Sequence, residues 1–184
     1  SNQKGLPQLA LIETYGGAYK LIPIRERRWK RPMGTLKVRV IDAQTGSTTP
    51  ARIHGLAPDG KFYAPPDAFA HIGRSERHSF HTAGSFSVEV PPGRMTVEAV
   101  KGFEYWPARA EVTIRESGVT EIELKLRRLV DMAGKGWYSG STHSHLNYGG
   151  DLNNTLENMM FTARAEDMKV VMDMIFNHIG SFHW

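Results

Sequence analysis

The chain has 184 residues, of which 40% are hydrophobic and 23% charged, a balance that excludes a disordered polymer and allows one full domain plus part of a second. There is no cysteine. Disulfides, thiolate zinc sites and cysteine nucleophiles are therefore excluded, and any metal must be held by imidazole or carboxylate, the ligands that suit Zn, Mn or Fe. Net charge is +4, and no run approaches the roughly 18–20 apolar residues of a membrane span.

Residues 1–33 form an N-terminal arm or linker. Ser1-Asn2 reads as a cloning remnant, and no charged patch followed by an apolar core marks a secretion signal. The chain reads as soluble, with export to the periplasm left open. Leu9, Leu11 and Ile12 before Tyr15-Gly16-Gly17, and Leu21, Ile22 and Ile24 after it, fit either a short hairpin or the tail of a preceding domain. Arg25, Arg27, Arg28, Lys30 and Arg31 follow, bracketed by Pro23 and Pro32. The cluster reads as a solvated extended connector in preference to a nucleic-acid patch.

From Gly34 to Arg128 the period is two. Leu36, Val38 and Val40 alternate with Lys37 and Arg39; the same rhythm recurs at Phe86–Val90, Met95–Ala99, Ala108–Ile114 and Ile122–Leu126. Such alternation predicts strands with one buried and one wet face. Turn signals at Thr45-Gly46, Pro58-Asp59-Gly60, Pro91-Pro92-Gly93, Lys101-Gly102 and Ser117-Gly118 separate them, and no helical period intervenes, which points to a sandwich. Residues 64–83 break the rhythm and predict a long loop bearing His71, Arg74, Arg77, His78 and His81. Their spacing is a weak metal signal, and packing against a neighbouring domain explains them equally well.

After Arg128 the character changes. Thr142-His143-Ser144-His145 sits between Gly140 and Gly149-Gly150. In an extended segment, alternate side chains share a face, so the two imidazoles can converge on one cation with Zn–N near about 2.0–2.1 Å. Thr155 to Asp167 predicts a helix with Leu156, Met159, Met160 and Ala163 on its apolar stripe, capped by Asn154 or Thr155. Residues 169–176 then predict a buried strand, with one continuous helix over 155–176 as the competing reading. Glu166 and Asp167 read as solvated helix-end carboxylates rather than metal ligands, and Asn147 and Asp151 as turn residues. The Met-rich helix could also support a homo-oligomer.

Two resemblances follow from these runs. Gly34–Val38, Asp42, Thr45-Gly46, Pro50-Ala51 and the stretch 84–99 resemble the carboxypeptidase regulatory-like domain, which implies a seven-stranded Greek-key, prealbumin-like (transthyretin-like) sandwich over 34–128 and no catalytic residue. The run from Gly136 through Thr142-His143-Ser144-His145 to Gly150 resembles the first metal motif of the PHP (polymerase and histidinol phosphatase) superfamily, in its carbaryl-hydrolase-like branch. That resemblance implies that 129–184 opens an α/β metallohydrolase domain, that His143 and His145 bind a divalent metal, and that metal-bound water attacks an ester, amide, carbamate or phosphate. His178, in Asn177-His178, stands near the family's second motif, where Asp-His is usual; Ser141 replaces the Asp that often precedes Thr-His-x-His. A barrel takes about 200 or more residues, so the chain reads as a fragment that is inactive alone and lacks the remainder of its catalytic domain. The competing reading is a non-catalytic binding or oligomerisation module.

Overall fold

A computed structural model describes residues 8–12, 19–23, 29–68, 70–71, 77–145 and 156–174. Strands β1 (Gln8–Ile12) and β2 (Tyr19–Pro23) pair antiparallel, so the hairpin reading of the arm holds. The main body is mainly β. It comprises β3 (Gly34–Asp42), β4 (Ala51–Leu56), β5 (Ala70–His71), β6 (Ser79–Thr82), β7 (Ser85–Val90), β8 (Gly93–Val100), β9 (Tyr105–Trp106), β10 (Ala108–Ile114) and β11 (Val119–Arg128). These form a five-stranded sheet in the order β10-β8-β4-β6-β5 and a four-stranded sheet in the order β7-β3-β11-β9. Among the described residues nine strands therefore stand where seven were expected, and two of the nine, β5 and β9, are only two residues long.

The period-two pattern explains how the sheets stack. Leu36, Val38 and Val40 of β3, Ile53 of β4, Val97 of β8 and Leu126 of β11 are at most 1% exposed and meet in one core between the sheets. Their polar neighbours face water, where Lys37 pairs with Glu121 and Arg39 with Glu123 across the parallel β3–β11 ladder. Each core side chain of this size removed from water contributes roughly 1.5–3 kcal/mol, which makes the shared core the main source of stability.

The long-loop expectation for 64–83 is corrected. Residues 70–71 and 79–82 are strands β5 and β6, because Ser79, Phe80, His81 and Thr82 are all buried against β4 and the segment beyond the sandwich. Short all-buried strands show no alternation, so the sequence rhythm missed them.

Past β11, a 3₁₀ turn at Ala133–Lys135 leads to β12 (Gly140–His145), helix α1 (Leu156–Ala165) and β13 (Val170–Met174). The continuous-helix reading is excluded: Asp167 has φ +54°, a left-handed conformation that ends the helix, and β13 then pairs parallel with β12. Among the described residues no helix is long and apolar enough to cross a membrane.

Candidate functional site

The His-x-His motif occupies the C-terminal end of β12. The register runs from Gly140↔Val170 and Ser141↔Val171 to Ser144↔Asp173 and His145↔Met174, with an irregularity between Ser141 and Ser144. Three steps along β12 thus match two along β13, which places a bulge at Thr142-His143. Bulges bend a strand and re-aim its side chains, and they concentrate beside active sites. The backbone of His143 and His145 is described; their side chains, and all of Asn147, Asp151, Asn177 and His178, lie outside the described residues. Among the described residues no group of three or more His, Asp or Glu is arranged to hold a metal.

The second feature is a polar seam between the sandwich and the turn that joins α1 to β13. The Glu166 carboxylate accepts from His81 Nε2 at 2.8 Å, which requires the imidazole proton on that nitrogen, and pairs with Arg52 Nη1 at 3.1 Å. Burial pushes the Glu166 carboxyl up, but the His81 hydrogen bond and the Arg52 charge outweigh it and hold the group below its ordinary value. Lys101, 6% exposed, donates from Nζ to Pro50 O at 3.0 Å and to Arg164 O at 2.7 Å. It thereby caps a terminal carbonyl of α1 with a cation, where the helix dipole favours one. Burial lowers the Lys101 ammonium's pKa, and the negative charge of Asp167 opposes that shift. Asp167, 7% exposed, is held by Lys169 at 2.8 Å and faces Arg128 at 3.8 Å. Arg128 also pairs with Glu104 at 3.0 Å and lies over the Tyr105 ring.

Glu166 and Asp167 are therefore not the solvated helix-end carboxylates expected from sequence. Their charges are consumed by sandwich cations and by Lys169, which also removes them as free metal ligands. The histidine-bearing segment divides in the same way. His81 serves the seam, the His78 carbonyl is within 3.1 Å of His54 Nδ1, and Arg77 pairs with Glu98 at 3.0 Å. Arg74 and the His71 side chain lie outside the described residues, as do Arg25, Arg27 and Arg28; Arg31 binds Asp59 at 2.6 Å. A groove of about 890 Å³ on the outer face of the five-stranded sheet is lined by His54, Phe62, Arg77, His78, Glu98 and Arg109. Its charged lining is basic, with Lys61, Arg77 and Arg109 against the one carboxylate of Glu98, and β12 is not part of its wall.

Sequence reading missed Arg52, Lys101, Arg128 and Ser139. Lys101-Gly102 gave a turn signal, yet the burial of its ammonium depends on a helix end more than sixty residues away, which no local pattern encodes.

The class this fold defines is a mainly-β sandwich protein extended by a β–α–β unit. No protein-family model matches the chain, and no curated protein matches it. Among solved structures it is similar to GBS52, the minor pilin of Streptococcus agalactiae, at 12% identity and a TM-score of 0.38, over 62% of this chain and 54% of that one. It is similar to the shaft pilin SpaA of Lactobacillus rhamnosus GG at 12% identity and a TM-score of 0.38, over 61% and 58%. A DUF3823 family protein of Parabacteroides merdae gives 15% identity and a TM-score of 0.34, over 53% and 47%. The chain spans about half the length of these structures. Likeness at this level carries no argument about activity.

Proposed function

We propose that the chain is the opening part of a metal-dependent hydrolase, with an accessory β-sandwich over 34–128 and a first metal motif, His143-Ser144-His145, in the segment 129–184. The observation that carries this reading is the motif's place at the carboxyl end of β12, in parallel pairing with β13 and with α1 as the connection. Parallel β–α–β folds gather ligands and catalytic groups at the carboxyl ends of their strands. In the same proposal the seven longer sandwich strands correspond to the Greek key of carboxypeptidase regulatory-like domains. The C-terminal segment corresponds to the PHP superfamily, in its carbaryl-hydrolase-like branch.

Imidazole donors fit a cation of the Zn, Mn or Fe type. His143 and His145 would hold it, with His178 as a third candidate donor. Two imidazoles hold such ions weakly, so the other ligands are assigned to the remainder of the catalytic domain, and this chain alone is inactive. A bound divalent metal would supply a water of lowered pKa and offset charge developing on an ester, amide, carbamate or phosphate. Calorimetric zinc titration of the chain and of a His143→Ala, His145→Ala variant tests the ligand assignment. Binding that vanishes in the variant supports it; tight binding that survives both substitutions refutes it.

One observation favours a second reading, a non-catalytic binding or oligomerisation module. Leu156, Met160, Val170 and Met172 are 43–58% exposed on α1 and β13, an apolar surface suited to another copy of the chain. Sedimentation that shows a dimer, broken by Met172→Lys and indifferent to zinc, would favour this reading.

A further inference from the structure

We infer that the sandwich is a clamp for the β–α–β unit: through the Glu166-Asp167 turn it sets the register of β12 against β13, with Lys101 as the positioning residue. The inference rests on the proposed function only in the last arm of its test.

Three observations converge on that turn. From the sandwich side, four basic groups on separate elements reach it: Arg52 of β4 and His81 of β6 bind the Glu166 carboxylate, Lys101 binds Arg164 O, and Arg128 of β11 faces Asp167. From the other side, Ser139, the residue before β12, reads the same turn. Its hydroxyl donates to Asp167 O at 2.7 Å, and its carbonyl accepts from Lys169 N at 2.9 Å and Val170 N at 3.1 Å. The first rung of the parallel ladder, Gly140↔Val170, comes directly after these bonds. Finally, the sandwich loop approaches so closely that a Cβ on Gly102 would lie 2.5 Å from Glu166 O.

The consequence is mechanical. A two-stranded parallel ladder has little stability of its own. Its register is set by whatever fixes its two starting points, and Ser139 and Val170 both hang from one turn. That turn is held by partly buried, charge-assisted bonds, which are stronger than neutral ones. A slip of one residue in such a ladder exchanges the two faces of a strand, and β12 is the strand that carries the His-x-His motif. Lys101 is central because it ties two carbonyls far apart in the chain, Pro50 O and Arg164 O, with one ammonium.

The test is residue-resolved hydrogen exchange on the whole chain. Lys101→Met keeps the apolar stem and removes the donor. Amides of Ser141, Val171 and Asp173 should then exchange about tenfold faster or more, while Val38 and Val97 in the sandwich core change by less than about twofold. Unchanged β12 and β13 amides, or equal acceleration in core and ladder, would overturn the inference. If Lys101→Met does not fold, Glu166→Gln decides, since it weakens the bonds to Arg52 and His81 and touches no side chain of the sandwich core: selective loss of ladder protection supports the clamp, and unchanged protection refutes it. Zinc affinity, compared with the exposed control Lys125→Ala, should fall in parallel. Absence of zinc binding in the unmodified chain would count against the hydrolase reading, and the exchange data alone would then judge the clamp.

Discussion

Replacing Gly102 with alanine tests the seam at its tightest point. Gly102 has φ +52°, where an L side chain costs about 1–2 kcal/mol. A Cβ there would lie 2.5 Å from Glu166 O and 3.0 Å from Asp167 Cβ, so backbone on one side must move. Forced overpacking of this kind costs about 1–3 kcal/mol. Lower entropy of the unfolded chain offsets about 0.4–1 kcal/mol. The expected net loss is about 2–4 kcal/mol, read from urea denaturation followed by far-UV circular dichroism with an unchanged m-value. Gly46→Ala is the control, because Gly46 has φ +70° and a methyl group added there would meet nothing within 4 Å, so it carries the backbone cost alone. If both variants lose the same stability to within about 0.5 kcal/mol, the close approach of Gly102 to the α1–β13 turn contributes nothing and the seam argument fails.

Three further outcomes are expected. Leu126→Ala, at a side chain 0% exposed between the sheets, should lose about 2–5 kcal/mol in the same assay; a loss under about 1 kcal/mol would mean the sheets do not share a close-packed core there. Burial, then the hydrogen bond to Asp42, pushes the Tyr105 phenol up to about 12, so its contribution is complete below its unfolded value of 10.0 and is lost as pH rises toward 12. In an ultraviolet titration of the six tyrosines, Tyr105→Phe should remove the last step. The folded-state pKa of Glu166 lies below 4.5, so its stabilisation is present above that value and disappears as pH falls through the lower one; Glu166→Gln should flatten the acid limb of the stability curve, and an unaltered limb would contradict the pairing with His81 and Arg52.

How much of this was legible depended on whether a residue's environment is local. Val38, Val97 and Leu124 sit on strands whose period of two is imposed by the pleat, so the sandwich could be read from alternation alone. The existence of α1 and β13 was legible too, but not their burial: Val170 and Met172 are exposed where a buried strand was expected, as are Leu156 and Met160 on the helix stripe. The choice between strand and continuous helix turned on Asp167, whose left-handed backbone no pattern announces. Strand β6 stayed hidden because both of its faces are covered. Glu166 and Asp167 were misread for the same reason: at a helix end, solvation is the usual fate of a carboxylate, and only the folded chain brings Arg52, His81 and Arg128 to meet them. The His-x-His motif was visible as spacing, and its position at the end of a parallel strand followed from the β–α–β order. The bulge at Thr142-His143 was not legible, since it exists only in the register with β13.

The most direct test of the central claim is an imidazole-resolved zinc titration by nuclear magnetic resonance on the whole chain. With eight histidines as internal references, the account predicts that the ring signals of His143 and His145 move first and together, and that the response disappears in the double alanine variant. Zinc that shifts other histidines while His143 and His145 stay still would contradict it.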